Sequence, residues 1–157
     1  MVTAEECYSA KPLLKFSAYT DSQSQAVKDL GNEVLSLLTK VEIMSAYNRF
    51  WFWTLGAYEA LRPMTDYLTC FDGPLGIEIN RLKQKLAELR APFAKQQLRG
   101  KNSKMGNEAS VHGVGKDQKD MIFKIKGTMY STSAIINEVN RFFDEISLSQ
   151  VLAPMPE

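Results

Sequence analysis

Hydrophobic residues recur at helical spacing along most of the chain. Between Asp21 and about Met44, the residues Leu30, Val34, Leu37, Leu38, Val41 and Met44 fall three or four apart, which gathers them into one apolar stripe of a helix. Asp21 or Ser22 supplies a side-chain oxygen to cap its first turn. Gly31 lies within the stripe and costs about 1 kcal/mol relative to alanine, so it reads as a soft point. Just upstream, residues 12–19 (PLLKFSAY) alternate weakly and suggest a short strand.

From Ser45 to about Leu68 the helical pattern continues but turns aromatic on nearly every side. Phe50, Trp53, Ala57, Ala60 and Leu61 share one face, and Tyr47, Trp51, Thr54 and Tyr58 share another. Such a segment has to be covered from several directions. Residues 22–68 fit either one bent helix or two helices with a tight junction near 45–48, and ordinary helix lengths favour two. Pro63 is expected to kink or end the segment. A turn at 70–75 (CFDGPL) precedes a further helix, Leu75 to Arg99, whose stripe is Leu75, Ile79, Leu82, Leu86, Leu89 and Phe93. Pro92 predicts a kink or an early end there.

Residues 100–119 hold four glycines among polar residues and predict a long flexible loop. MIFKIKG at 121–127 then alternates as a strand. It needs a partner, and 12–19, 128–130 across a turn, or another subunit could supply one. The last helix runs from Ser133 to Ile146, capped by Thr132 or Ser133, with Ile135, Val139, Phe142, Phe143 and Ile146 buried. These elements predict an all-α or mainly α fold: an antiparallel helical bundle with long helices and at most one small β-strand pair. The 157 residues suit one domain, spanning 1–157, with loose segments at 1–10, 100–119 and 148–157.

Composition narrows the function classes only a little. The net charge of +1 says nothing of partners as a whole. Cys7 and Cys70 follow no metal or C-x-x-C spacing and read as two reduced thiols of a cytoplasmic protein. The most apolar run, from Phe50, is broken by Glu59, Arg62 and Pro63, so no membrane span is expected.

Catalysis at neutral pH needs a tuned acid or base, an activated nucleophile or a metal. The single histidine, His112, sits in the glycine-rich loop with no base partner in view, and reads as a solvated side chain. No metal-ligand spacing and no phosphate-binding loop occurs, and Gly113–Gly115 form only a fragment of a dinucleotide fingerprint. The sequence therefore nominates no catalytic residue, metal or cofactor, and an enzyme is not the favoured reading.

Charges inside the aromatic helix are the most informative feature. Glu59, Arg62 and Asp66 are spaced to meet along one face, and charge among large rings is costly unless paired. One reading is a buried ion network of Glu59, Arg62, Asp66, Arg90 and Lys95 that fixes helix register. The other is a pocket in which Tyr47, Trp51 and Tyr58 offer ring faces while Arg49, Glu59 and Arg62 orient a small aromatic or polar ligand. Gly56, between bulky rings, predicts a close helix crossing or, less favoured, room for that ligand.

A second asymmetry lies at 81–104. Arg81, Lys83, Lys85, Arg90, Lys95, Arg99, Lys101 and Lys104 stand against Glu88 alone, a local charge of +7. This stretch could follow phosphates, but no nucleic-acid-binding motif accompanies it, so nucleic acid is a disfavoured partner.

One known family is set aside and one resemblance remains. The HEPN nucleases carry an arginine and a histidine a few residues apart on a helix, and His112 has no such partner. The run Trp53, Gly56, Ala57, Tyr58, Glu59 and Arg62, with Leu89, Arg90, Pro92, Ala94 and Lys95, resembles a group of uncharacterised bacterial helical proteins. Some of that group are encoded on mobile gene cassettes. The resemblance implies that Glu59, Arg62, Arg90 and Lys95 belong to one feature, and implies no activity. The leading expectation is a non-enzymatic helical protein that forms a homo-oligomer or binds another protein. The alternatives are a small-molecule binder at Tyr47, Trp51, Tyr58 and Glu59, and a nucleic-acid binder through 81–104.

Overall fold

The stripes become four helices in a computed structural model, which describes residues 10–95, 110–117 and 119–151. Helix α1 spans Ala10–Thr39 and absorbs the strand expected at 12–19. Pro12 falls in its first turn, where a missing N–H leaves no intrahelical bond unmade. Asp21 and Ser22 consequently lie within the helix and cap nothing. An alternation of a few residues fits a strand and a helix alike, and only the longer helical stripe behind it decides.

The α1 helix ends in a reversal at Thr39, five residues before the expected Met44. The Glu42 N–H donates to Leu37 O at 2.9 Å and the Val41 N–H to Leu38 O at 3.0 Å, with Val41 at φ 62°. This is a Schellman motif with valine in the left-handed position that usually belongs to glycine. The reversal turns Val41 and Met44 outward, 53% and 73% exposed, so neither joins the buried stripe predicted for them. Helix α2 then covers Ile43–Asp66, so 22–68 is two helices. Pro63 is carried inside α2, which ends three residues later.

Helix α1 packs on α2 and on the last helix, and α2 packs on the next. At Gly31 the first, second and last helices meet. A Cβ there would lie 2.9 Å from both Ile136 Cγ2 and Trp53 Nε1. The bare backbone lets Trp53, wholly buried, lie on α1 and donate its indole N–H to Val27 O at 3.1 Å. The predicted soft point is a packing contact.

A 3-10 turn, Leu68–Cys70, leads to helix α3, Gly73–Lys95. The Leu75 N–H donates to Asp72 Oδ1 at 2.8 Å, so Asp72 caps α3 at a site read from sequence as plain turn. All six apolar positions predicted for this helix are buried. Cys70 is disulfide-bonded, and no free cysteine occurs among the described residues. This overturns the expectation of two reduced thiols. Cysteine spacing speaks to metal and redox motifs, not to what folding brings together.

The strand predicted at 121–127 is the centre of a small antiparallel sheet: β1 Gly113–Val114, β2 Met121–Ile125 and β3 Thr128–Ser131, in that order. A two-residue loop joins β2 to β3, with Lys126 at φ 50° and Gly127 at φ 86°, the two positive angles that a tight twisted hairpin requires. Of the partners expected for β2, the one across the turn is found. β1 adds a third strand from within the glycine-rich segment, so β2 is paired on both sides by its own chain. Met121, Phe123 and Ile125 point into the core, where Phe123 stacks on Phe50 at 5.4 Å.

Helix α4, Thr132–Glu145, starts one residue before the prediction, and its cap is Ser131. Ser131 Oγ accepts from the Ala134 N–H at 3.1 Å, and Asp120 Oδ1 accepts from the Ser133 N–H at 2.9 Å. The Thr132 hydroxyl donates to Met121 O at 3.0 Å. Sheet and helix are thereby joined at the end of α4 that favours a carboxylate. Beyond α4 the chain is not loose at once: Asp72 N–H donates to Gln150 O at 2.9 Å, and Phe71 bridges Val151. The other parts of the segments expected to be loose, at 1–9, 100–109, 118 and 152–157, and the end predicted for the third helix at 96–99, lie outside the described residues.

Candidate functional site: the aromatic seam of α2 and α3

Helices α2 and α3 run antiparallel, as three contacts along their seam show. Lys83 Nζ donates to the Thr65 hydroxyl at 2.5 Å. One to two turns on, the Arg90 guanidinium lies 4.4 Å over the Tyr58 ring. Further still, Trp51 and Tyr47 meet Phe93 at ring-centre distances of 5.9 and 6.1 Å. Tyr47 also reaches Phe123 of the sheet at 6.2 Å. The second face predicted for the aromatic helix thus assembles with rings from α3 and β2. Tyr47, Trp51 and Tyr58 stay half-buried against the core, while Phe50 and Trp53 on the first face are sealed within it.

Two polar atoms on this seam are buried with no hydrogen-bond partner, Trp51 Nε1 and Arg90 Nε. Each lacks the bond that a buried N–H ordinarily makes. Trp53 shows the contrast, because its indole N–H reaches Val27 O. Sequence reading found both rings, but the difference between their N–H groups depends on tertiary packing and leaves no local signal.

The charges nominated from sequence divide. Glu59 stands between Arg62 at 3.3 Å and Arg90 at 3.6 Å. These are not buried pairs: the Glu59 and Arg62 side chains are 49% and 61% exposed. Residues 49, 52, 56 and 59 form the outer face of α2, all exposed, so water solvates the carboxylate and the rings do not enclose it. Asp66 is exposed and forms no ion pair among the described residues, and the Lys95 side chain lies outside them. Arg49 leaves the group entirely, pairing with Glu33 of α1 at 3.0 Å. Gly56 has no atom within 4 Å of a Cβ placed there. It makes neither the close crossing expected of it nor room beside a ring, because it faces outward.

Three of the eight cations of the basic stretch are paired with acids of the chain. Arg81 pairs with Glu78 at 2.5 Å and with Glu138 at 2.7 Å, Lys85 pairs with Glu138 at 2.7 Å, and Arg90 pairs with Glu59. Burial alone would raise the Glu138 carboxyl, but hydrogen bonds from Lys85 and Arg81 outweigh it and hold the group below its ordinary range. Arg99, Lys101 and Lys104 lie outside the described residues. His112 is exposed, and its backbone N–H donates to Ile122 O at 2.7 Å.

A groove of about 430 Å³ lies between the start of α3 and the end of α4, lined by Pro74, Leu75, Glu78, Glu138, Arg141 and Phe142 among others. No sequence pattern marked it. Its least exposed carboxylate, Glu138, is already held by two cations, so its wall presents no unmet buried group. On the sheet side, Tyr130 donates to Glu88 at 3.0 Å, and burial together with that carboxylate pushes its phenol up to about 12.

Among the described residues, no group of three or more histidines, cysteines or acids is placed to hold a metal, and no helix is long and apolar enough to cross a membrane. No family model, curated protein or solved structure matches the chain.

Proposed function

We propose that this protein is a helical small-molecule binder whose ligand is received on the α2–α3 seam at Tyr47, Trp51 and Tyr58, with Glu59 and Arg90 at its edge. The observation that carries the reading is the buried, unpartnered indole N–H of Trp51 among half-buried rings. Ring faces supply apolar contact, and an unmet N–H supplies direction. Homo-oligomer formation has less behind it. It drew on the aromatic-rich helix and on a strand in need of a partner, and β2 finds both partners within its own chain. A nucleic-acid role is weaker too, because three cations of the basic stretch are engaged by Glu59, Glu78 and Glu138.

The test is the pair of indole N–H signals in a proton–nitrogen correlation spectrum, recorded while the full chain is titrated with indole, benzamide and benzoate. The Trp51 signal should shift saturably while that of Trp53, held by Val27, stays in place. Signals that both remain fixed with all three probes would sink the proposal.

A further inference from the structure

We infer that the seam's ligand is a flat aromatic carboxylate with a second acceptor oxygen at its far end. This deepens the proposed binding role and rests on it. Both unpartnered groups on the seam are donors, Trp51 Nε1 and Arg90 Nε. A donor is answered only by an acceptor, so an ammonium or another purely donating group satisfies neither. The third such atom among the described residues, Asn140 Oδ1, belongs to α4, where the Asn140 amide nitrogen donates to Asn32 at 3.2 Å.

The chemistry of Arg90 narrows the acceptor to an anion. A guanidinium presents Nε–H and an Nη–H as a planar fork that matches the two oxygens of a carboxylate. The centre of this guanidinium lies 4.4 Å over the Tyr58 ring, and its Nε–H is buried without a partner. Its one anionic partner among the described residues is a loose one: Glu59 sits 3.6 Å from Arg90 Nη2, and Arg62 holds the same carboxylate at 3.3 Å. Glu59 can therefore keep Arg62 while a ligand takes Arg90. The local charge of Glu59, Arg62 and Arg90 together is positive, which favours an anion further.

Helix geometry sets the length. Trp51 and Tyr58 are seven residues apart on α2, about 10 Å along its axis. A ligand that places its carboxylate on Arg90, over Tyr58, and answers Trp51 must carry its second acceptor at roughly that distance. Its flat body then lies along the rings of Tyr58, Phe93 and Trp51.

The test uses 4-hydroxycinnamate, its methyl ester and cinnamate on the full chain, followed by calorimetry and by the Trp51 indole signal. The acid should bind at least tenfold more tightly than its ester, and 4-hydroxycinnamate more tightly than cinnamate. Arg90→Gln should erase the first preference and keep the second, and Trp51→Phe should do the reverse. Equal binding of acid and ester, with Trp51 still shifting, overturns the anion inference and leaves the seam as a binding site for neutral aromatics. Binding that survives both substitutions unchanged, or no binding by any of the three, overturns the seam reading itself.

Discussion

Two tryptophans of α2, Trp51 and Trp53, meet opposite surroundings although they stand only two positions apart. Trp53 faces α1, is wholly buried, and has its N–H answered by Val27 O over the bare backbone of Gly31. Trp51 faces α3, is half-buried, and has its N–H buried but unanswered. The first environment is a finished core. The second has the rings of a core without its polar closure. A helix can present both because neighbouring side chains are about 100° apart around its axis, so two residues suffice to pass from one face to another.

The hardest test of this contrast is truncation. Trp53→Ala should destabilise the protein by about 3–5 kcal/mol, the usual cost of emptying a large buried aromatic site. Trp51→Ala should cost about 1–2 kcal/mol, because a half-buried ring has less apolar surface removed from water. Urea denaturation of both variants checks the difference, and equal losses would break the comparison.

The two helical glycines repeat the contrast on a smaller scale. Gly31→Ala pushes a methyl group to within 2.9 Å of Trp53 Nε1 and Ile136 Cγ2. It should destabilise by about 1–3 kcal/mol, as overpacking does. Gly56→Ala enters open space on an exposed helix face and should stabilise by about 1 kcal/mol through helix propensity alone. Thermal unfolding should therefore move in opposite directions for one and the same substitution.

Periodicity made most of the frame legible. The stripes of α3 and α4 repeat for many turns, and the side chains they named lie in the core apart from Phe143 and Ile146, which only partly enter it. Where the pattern was short it misled: residues 12–19 alternate over too few positions to separate a strand from the start of α1. β1 is two residues long, which is below what alternation can register. The rings of the candidate site were legible because they are large and closely spaced. Their roles were not, since whether Glu59 is enclosed, whether Arg49 turns to Glu33, and what Gly31 touches are decided by neighbouring helices. The α1–α2 reversal was misplaced because its left-handed position holds valine, where glycine would have announced it.

That valine gives a smaller prediction on the finished side of the molecule. A non-glycine residue in the left-handed region costs about 1–2 kcal/mol, and Val41 has half its surface in water to lose little packing in exchange. Val41→Gly should stabilise by about 1 kcal/mol, read as a raised denaturation midpoint with an unchanged slope. A loss of stability would mean that the valine side chain packs on something at the reversal.

The smallest expected effect discriminates best. Trp51→Phe removes an indole N–H that is buried without a partner, a group whose burial costs about 1–3 kcal/mol. It also removes part of a ring that contributes apolar contact to Phe93. The two changes oppose each other, so stability should move by less than about 0.5 kcal/mol. Trp53→Phe removes an N–H that is satisfied, and with it both a hydrogen bond and filled volume, so its loss should exceed 1 kcal/mol by about the worth of a buried bond. If Trp51→Phe proves as costly as Trp53→Phe, then Trp51 finds an acceptor in the free protein. The seam would then be closed like the core beside it, and the physical reason for placing a ligand there would be gone.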